Sequence, residues 1–497
     1  MKLISAKYLY KKCALLNLFL IIIGVGACSV DSEEPGVDQN PEDEIGFQLT
    51  DIKDSYGSIS SFSNSSKWGP YNVHDPSVIK VGDWFYSYST DVAYGQPLIK
   101  VGIQVRKSKN LVEWEFVGWA YDGLPQQAVN YIKSNGGEPF ENLWAPYILQ
   151  VEGKFRLYYS LSSGIHKLSA IGLLTSDSPE GPWQQAGLAV TSDTDLPMTN
   201  AIDPSVIIDQ EGKHWMYYGS AYDGIYVVEL DPETGLAKTS GDKGKRIAQR
   251  GFTDGVINGN IEGPEVIYRK ENGYYYLFLS YDWLESKYNI RVGRSRNPEG
   301  PFLDFHGNDM NVEQDNGPMI VAPYKFQGHA GWQGTAHNAA FKDDDQYFIA
   351  HQGRPSADRF YMIMHVRKLY WTEDGWPVAS PERFADLLRE SIQEEDLVGL
   401  WEQIVLGYQV VPGFAAEQVD PNHQVSYDIN LQANGTIDGN SDNVWSYQAP
   451  WLTLNYGNGV FVDKVYVDQG YDWENHQKTL IYTGLNNEGT AIWGKKK

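Results

Sequence analysis

One pattern recurs five times along this chain and limits its fold more than any other feature. In each copy a polar residue, usually with a proline, leads into an apolar strand. A turn with Gly or Asp follows, and the next strand is dense in Tyr and Phe. The copies start about 60 to 75 residues apart, which is long enough for a four-stranded sheet with long loops. They begin near His74, Trp144, Ile202, Ile261 and Ala336.

The strands in these copies are short, aromatic and β-branched, with little helical periodicity. Later parts of the unit repeat as well, because Pro179-Glu180-Gly181-Pro182-Trp183 matches Pro298-Glu299-Gly300-Pro301-Phe302. The repeats therefore predict an all-β chain with a five-bladed β-propeller over residues 51–390. A β-sandwich with coincidental internal similarity is the alternative fold.

In a propeller the first strand of each blade lines the central axis, so symmetry collects the starts of the five repeats around one mouth. The predicted ring holds Asp75, Ala145, Asp203, His337 and the neighbourhood of Glu262. Glu262 stands one residue earlier than the others relative to its proline, so the pattern leaves its direction open. Carboxylates around one pocket can divide into a protonated acid and an ionised base. Cleavage of a glycosidic bond needs both forms.

Each of these carboxylates also has a structural interpretation. Asp-Pro is a common turn opener, so Asp75 or Asp203 alone would more often be structural. Glu262 before Gly-Pro could be a solvated loop residue. The convergence of all three on one pocket favours the catalytic interpretation.

Four motifs resemble those of glycoside hydrolase family 43: His74-Asp75-Pro76-Ser77, Trp144-Ala145-Pro146, Ala201-Ile202-Asp203-Pro204 and Ile261-Glu262-Gly263-Pro264. The resemblance implies that Asp75 is the base that activates water and Glu262 the acid. Asp203 would orient Glu262 and keep it protonated, and His74 and Trp144 would bind substrate. The family inverts the anomeric carbon, which needs acid and base roughly 6.5–9.5 Å apart.

The subgroup that the chain resembles is the bacterial endo-α-1,5-L-arabinanases. Glu373-Asp374-Gly375-Trp376-Pro377-Val378 is typical of them, and residues 391–497 resemble their small C-terminal β-barrel-like domain. The resemblance implies an enzyme that cleaves internal bonds of arabinan. Alternatives are an exo-acting α-L-arabinofuranosidase or β-xylosidase on the same propeller, a non-catalytic surface glycan-binding lipoprotein, and a protein–protein scaffold.

His337 occupies the ring position of the fifth repeat. The resemblance implies a calcium ion held near the axis by this histidine and several waters. On residue chemistry alone a hydrogen-bonded histidine is the more ordinary interpretation, because Ca²⁺ prefers oxygen ligands.

The first residues predict export to the cell envelope. A Lys-rich start and the apolar run Ala14 to Val25 form a signal peptide over residues 1–27, and Val25-Gly26-Ala27-Cys28 looks like a lipobox. Cys28 would then carry the lipid, and the acidic residues 28–50 would form a tether. An ordinary signal peptide with an incidental cysteine is the alternative. The expected location is the bacterial outer membrane, with the enzyme exposed at the surface and attached only through its lipid.

The net charge of −24 argues against nucleic acid as a partner, because binding phosphates requires Lys and Arg. A neutral polysaccharide such as arabinan is not repelled by this charge. The oligomeric state is not indicated by the sequence.

Overall fold

The computed structural model describes residues 47–96, 100–194, 199–253, 256–257, 259–312, 317–388, 390–407 and 419–497. The predicted signal peptide, Cys28 and residues 28–46 of the predicted tether lie outside the described residues. No helix in the described part of the chain is long and apolar enough to cross a membrane.

Four antiparallel four-stranded sheets follow one another along the chain, and each contains one sequence repeat. Blades I and II consist of β1 (Ser77–Val81), β2 (Trp84–Ser89), β3 (Gln104–Ser108), β4 (Glu115–Trp119), β5 (Trp144–Val151), β6 (Lys154–Leu161), β7 (Ser169–Ser176) and β8 (Gln184–Ser192). Blades III and IV consist of β9 (Ser205–Ile208), β10 (His214–Tyr218), β11 (Ile225–Leu230), β12 (Lys245–Ala248), β15 (Ile261–Arg269), β16 (Tyr274–Tyr281), β17 (Asn289–Ser295) and β18 (Met319–Val321).

Short elements precede or interrupt these blades. They are three 3₁₀ helices (Leu49–Asp51, Gly57–Ile59 and Phe62–Lys67), helix α1 (Gln126–Ser134) before β5, and the hairpin β13 (Phe252–Thr253) and β14 (Val256–Ile257).

The fifth repeat departs from the predicted pattern, because it belongs to a seven-stranded sheet. That sheet contains β19 (Tyr324–Lys325), β20 (Trp332–Gln333), β21 (Asn338–Asp343), β22 (Gln346–Pro355), β23 (Ile363–Trp371), β24 (Pro377–Ala379) and β26 (Gln424–Val425). Strand β22 has ten residues and β21 only six, so the end of β22 extends past β21 and pairs with β20. The prediction of five four-stranded blades is therefore wrong: four repeats form such blades, and the fifth is part of a larger sheet.

The first strands of all five repeats nevertheless adjoin one another around the axis. Strand β1 contacts β5, β5 contacts β9, β9 contacts β15, β15 contacts β21, and β21 contacts β1. The starts of the repeats are thereby gathered as the symmetry argument predicts.

Buried tyrosines in the second strands account for much of the aromatic content. Tyr158 and Tyr217 have no exposed surface, and each donates its hydroxyl over 2.8 Å to a carbonyl of the following blade, at Gly235 and Pro298 respectively. Each ring thus buries apolar area while its hydroxyl satisfies a loop carbonyl. These tyrosines therefore join neighbouring blades, and their buried rings cannot contact a ligand.

After the short helix α2 (Glu394–Leu397), the C-terminal region forms a closed eight-stranded barrel, which confirms the predicted barrel-like domain. Its strands are β25 (Gly399–Leu406), β27 (Tyr427–Leu431), β28 (Thr436–Ile437), β29 (Asn440–Gln448), β30 (Trp451–Tyr456), β31 (Phe461–Asp472), β32 (Gln477–Asn486) and β33 (Ala491–Lys496). Strand β33 pairs with β25 and closes the barrel. Trp401, Leu452 and Tyr482 help to fill its interior.

A buried lysine ties this barrel to the end of the propeller region. Nζ of Lys495 lies 3.0 Å from Glu382, 2.9 Å from Asp472 and 2.7 Å from Glu474, and we call these four residues the lysine junction. Burial alone would lower the pKa of Lys495, but the three carboxylates raise it above its ordinary value. The ammonium therefore stays charged and offsets one negative charge of this cluster, while burial and Glu474 raise the pKa of Glu382 well above its ordinary value.

Candidate active site

Five equivalent backbone positions surround the mouth of the propeller, and all have left-handed φ angles. They are Asp75 (52°), Ala145 (39°), Asp203 (59°), Gly263 (58°) and His337 (52°). The ring position of blade IV is thus Gly263, and Glu262 precedes it by one residue. A Cβ at Gly263 would lie only 3.1 Å from Nδ1 of His337, so both the φ angle and the space favour glycine there.

The backbone N–H of each ring residue is held by a side chain of the preceding repeat. Four of these N–H groups donate to the end of a second strand: Ala145 to Thr90 (2.8 Å), Asp203 to Ser160 (3.1 Å), His337 to Ser280 (2.9 Å) and Asp75 to Gln352 (3.0 Å). In blade III the strand register puts Gly219 at that position, which offers no side chain. The N–H of Gly263 donates instead to Oδ2 of Asp203, over 3.2 Å. This exception links Asp203 directly to the backbone beside Glu262.

Asp75 is buried and surrounded by donors. Its Oδ1 lies 2.7 Å from Nδ1 of His74 and 3.0 Å from Nδ1 of His337, and its Oδ2 accepts a hydrogen bond from Thr90 over 2.6 Å. Burial by itself would raise the pKa of Asp75, but His337 and His74 hold it well below its ordinary value. Asp75 is therefore ionised, and Oδ2 retains a lone pair for one further donor such as water.

Asp203 has the opposite electrostatic character. Burial is the main cause that raises its pKa well above the ordinary value; the neighbouring carboxylates add to this effect, and His337 opposes it. Glu262 is half-buried and faces the same pocket. The raised pKa of Asp203 therefore leaves a proton in this part of the acid ring near neutral pH. We call Asp75, Asp203 and Glu262 the acid ring.

Both carboxylate oxygens of Glu262 accept hydroxyl groups. Ser220 Oγ donates to Oε2 over 2.6 Å, and Tyr288 Oη donates to Oε1 over 2.7 Å. Ser220 lies in the loop after β10 and forms an isolated bridge with Glu262, and Tyr288 lies just before β17. Two elements of neighbouring blades thus fix the orientation of this acid.

The positive His337 completes the electrostatic balance of the acid ring. Burial alone would lower the pKa of His337, but Asp75, with support from Asp203 and Glu262, raises it to about 9. The imidazolium donates through Nδ1 to Asp75, so this nitrogen is not free for a metal ion.

Aromatic side chains lie at the same end of the propeller. Trp144 immediately precedes the ring residue Ala145 and stacks on Phe140, which is 38% exposed, with 5.3 Å between ring centroids and 27° between ring planes. Tyr222 lies two residues after Ser220 and contacts the exposed ring of His166 edge-on at 4.3 Å. The two pairs place aromatic rings near the acid ring.

The structure thus gathers every predicted site residue of the propeller: Asp75, Asp203, Glu262, His74, Trp144 and His337. Sequence reasoning missed Thr90, Ser220, Tyr288, Gln352 and Phe140. A signal existed for some of these, since a hydroxyl residue follows the aromatic second strand in several repeats. Tyr288 and Phe140 lie in loops that have no counterpart among the repeats, so symmetry could not reveal them.

Comparison with known protein families agrees with this geometry. The model of glycosyl hydrolases family 43 matches residues 69–377, and a C-terminal lipocalin-like domain model matches residues 381–494. The chain belongs to glycosyl hydrolases family 43. The family match contains the whole acid ring, and the second match contains the first seven barrel strands and most of β33.

Individual relatives of this family 43 chain differ in how much of it they cover. An extracellular endo-alpha-(1->5)-L-arabinanase of Thermotoga petrophila is 30% identical over 470 residues, 85% of this chain and 93% of the relative. An extracellular exo-alpha-(1->5)-L-arabinofuranosidase of Cellvibrio japonicus is 31% identical over 325 residues, 62% of this chain and 86% of the relative. The crystal structure of the endo-1,5-alpha-L-arabinanase from Thermotoga petrophila RKU-1 superposes with a TM-score of 0.73 at 29% identity, over 87% of this chain and 99% of that one.

Proposed function

We propose that this family 43 protein is an endo-α-1,5-L-arabinanase that cleaves internal bonds of arabinan with inversion at the anomeric carbon. The observation that carries the proposal is the division of the acid ring. Asp75 is held ionised by two histidines, while the raised pKa of Asp203 keeps a proton beside Glu262. One pocket therefore offers both a base and an acid, as inverting hydrolysis requires.

Asp75 acts as the base. A water that donates to the remaining lone pair of Oδ2 loses its proton to Asp75 as its oxygen bonds to the anomeric carbon. His74, His337 and Thr90 fix the carboxylate, so it need not reorient during this step. Because all three contacts favour the anion, Asp75 is in the reactive form across the neutral pH range.

Glu262 acts as the acid on the other side of the bond. Its proton passes to the glycosidic oxygen as the bond from that oxygen to the anomeric carbon breaks, and the alcohol of the departing arabinan segment leaves neutral. Asp203 keeps the proton within the pair, and its hydrogen bond from Gly263 fixes its distance from Glu262. Asp203 touches no reacting atom in this scheme and is a positioning residue.

Trp144 and Phe140 form the platform that we assign to sugar binding. Sugar rings have apolar C–H faces, which complement aromatic faces. Phe140 lies against one face of the indole and fixes it, so the opposite face of Trp144 is the one that can take a sugar ring. The match of both domains to the Thermotoga endo-arabinanase supports endo action over exo action.

The test is a time course of the purified protein with linear arabinan, with products separated by anion-exchange chromatography. A ladder of oligosaccharides at early times is expected, and NMR should show the inverted anomer first. Arabinose alone would favour the exo-acting alternative. Binding without products in the wild type would favour the glycan-binding alternative. Glu262→Ala should give no ladder, and Asp345→Ala, an exposed turn carboxylate, should match the wild type.

We also propose that a calcium ion binds near His337. As an imidazolium His337 carries a proton on Nε2, so this nitrogen can hold the ion only after it releases that proton while Nδ1 still donates to Asp75. Both side-chain amide atoms of the neighbouring buried Asn338 have no hydrogen-bond partner among the described residues. This donor set fits Ca²⁺ if water supplies most of the oxygen ligands. The ion would add positive charge beside the acid ring. Metal analysis should find calcium in the wild type and less in Asn338→Leu; equal, negligible content in both would exclude the site.

We further propose that the protein is attached to the outer membrane through a lipid on Cys28. The lipobox-like sequence before this cysteine supports the proposal, and the relatives named extracellular are consistent with export. Mass spectrometry of the membrane-associated protein should find a diacylglyceryl-modified Cys28. Cys28→Ala should release the enzyme from the membrane without changing its turnover, and membrane retention of that variant would exclude the anchor.

A further inference from the structure

Glu262 is the one member of the acid ring whose two oxygens each accept a side-chain hydroxyl. Ser220 occupies Oε2 at 2.6 Å and Tyr288 occupies Oε1 at 2.7 Å. Tyr288 has no exposed surface and Ser220 is 7% exposed. Neither residue is part of the acid–base scheme above, so their short contacts with the proton donor need an explanation.

The two hydroxyl groups create a chemical conflict. A hydrogen bond to a carboxylate favours its ionised form, whereas a general acid must begin the reaction protonated. In a neutral carboxylic acid the carbonyl oxygen can still accept a hydrogen bond, but the hydroxyl oxygen directs its own hydrogen outward. One hydroxyl can therefore stay in place when Glu262 is protonated, and the other must turn away.

The surroundings decide which hydroxyl turns away. Tyr288 is enclosed, and its hydroxyl hydrogen is restricted to positions near the plane of the ring. The hydroxyl of Ser220 rotates about a single bond, and Ser220 adjoins the partly exposed residues Ala221 and Tyr222. Oε2, on the Ser220 side, is therefore the oxygen that can carry the proton toward the substrate.

We propose that Tyr288 and Ser220 are positioning residues with different tasks, Tyr288 holding Oε1 throughout the reaction and Ser220 donating to Oε2 only as its proton departs. The inference rests on the proposed role of Glu262 as the acid. As the O–H bond at Oε2 breaks and the proton joins the glycosidic oxygen, Oε2 becomes a carboxylate oxygen. The Ser220 hydroxyl then donates to it, which stabilises the transition state because the bond strengthens with the charge.

Other charged groups face Glu262 and must be held constant in a test. They are Asp203 before β9, Asp75 before β1 and His337 before β21. Variants of Ser220 and Tyr288 leave all three unchanged. A changed pH profile in such variants therefore reports the loss of the hydroxyl.

The experiment is the pH profile of kcat/KM on arabinan for the full-length enzyme carrying Ser220→Ala, Ser220→Thr or Tyr288→Phe. Loss of either hydroxyl should move the basic limb about one to two pH units upward, because a hydrogen bond to the anion is lost. Turnover on arabinan should fall about tenfold or more for Ser220→Ala. An activated aryl arabinoside, which needs less protonation, should lose less. Ser220→Thr keeps the hydroxyl and should restore the profile.

Tyr217→Phe is the matched control, since it removes a buried tyrosine hydroxyl that donates only to a backbone carbonyl. It should leave the basic limb in place. An unmoved basic limb in Ser220→Ala, with equal losses on both substrates, would overturn the inference even if Tyr288→Phe failed to fold. If Glu262→Ala itself remained active, the proposed function would fail instead, so the two failures are distinguishable.

Discussion

The acid ring and the lysine junction each bring three carboxylates together in a buried place, but they differ in the cation at their centre. At the junction the ammonium of Lys495 lies within 3.0 Å of all three acids. In the ring the imidazole of His337 contacts one acid, Asp75, at 3.0 Å. The single ammonium offsets only one negative charge of the junction, and burial together with Glu474 raises the pKa of Glu382 well above its ordinary value, so Glu382 is protonated beside the ionised Glu474. Both clusters therefore hold a proton, but the ammonium contacts all three junction acids and fixes them in place, whereas half-buried Glu262 of the acid ring faces the pocket.

The largest expected effect concerns the acid ring. Asp75→Ala or Glu262→Ala should lower turnover on arabinan by about two to four orders of magnitude, the usual contribution of a general acid or base. Binding of arabino-oligosaccharide should largely persist in both variants, but Asp75→Ala should also lower the unfolding temperature because it leaves the buried His337 without its anion. Initial rates measure turnover, and calorimetry measures binding and the unfolding temperature. A variant that keeps most wild-type activity would remove that residue from the mechanism.

The lysine junction should respond in stability rather than in chemistry. Lys495→Met leaves three buried carboxylates without their cation and should lower the free energy of unfolding by about 3–5 kcal/mol. Lys478→Met, which removes an exposed lysine of β32, is the control and should change little. Turnover of folded Lys495→Met should equal the wild type. Equal unfolding midpoints for the two variants would show that the junction contributes no net stability.

The same variant should reverse the pH dependence of stability at the junction. In the wild type Lys495 lowers the pKa of Glu474 to about 2, although burial opposes this. That stabilisation is complete above the unfolded value near 4.5 and is lost as pH falls toward 2. Without Lys495 burial should raise the pKa of Glu474, as it already raises that of Glu382, so Lys495→Met should gain stability on mild acidification. Thermal unfolding of both proteins between pH 4 and 7 shows whether stability rises or falls on acidification. The same change of unfolding temperature with pH in wild type and Lys495→Met would contradict the prediction.

Asp203→Asn tests the shared proton in the acid ring. Removing this carboxyl ends the repulsion within the Asp203–Glu262 pair, so Glu262 should ionise at lower pH and the basic limb of kcat/KM should move toward acid. This direction is opposite to that expected for Ser220→Ala. Losses should be greater on arabinan than on an activated aryl arabinoside. If the basic limb of kcat/KM did not move and activity fell equally on both substrates, Asp203 would be a structural turn residue.

The smallest effects are expected at the aromatic platform. Trp144→Ala and Phe140→Ala should each raise KM for arabino-oligosaccharides by up to about tenfold, the scale of one aromatic contact, with little change in kcat. Phe461→Ala, an exposed ring on the barrel, should have no effect. A Trp144→Ala protein that unfolds would show that this ring belongs to the core.

Much of the fold followed from repetition in the sequence. The recurrence of aromatic strands and of Gly or Asp turns predicted the blades, and the strand register places such turns at Gly82, Gly153 and Gly273. The fifth repeat was predicted incorrectly because its sheet gains strands from segments that do not repeat, including β26 in the C-terminal region. Such pairings depend on which sheet edges remain unpaired once the blades have formed, and a local sequence pattern does not contain that information.

The sequence by itself determined which residues can do the chemistry, because symmetry brings equivalent positions together whatever the loops do. It placed Asp75, Asp203 and His337 at ring positions and left the direction of Glu262 open. Only the tertiary structure decided that Gly263 occupies the ring position, and that Ser220 and Tyr288 hold Glu262 from two different blades. Only the structure also decided which acid is ionised. Charge states depend on burial and on contacts shorter than about 4 Å, and those arise from side chains that lie far apart in the chain.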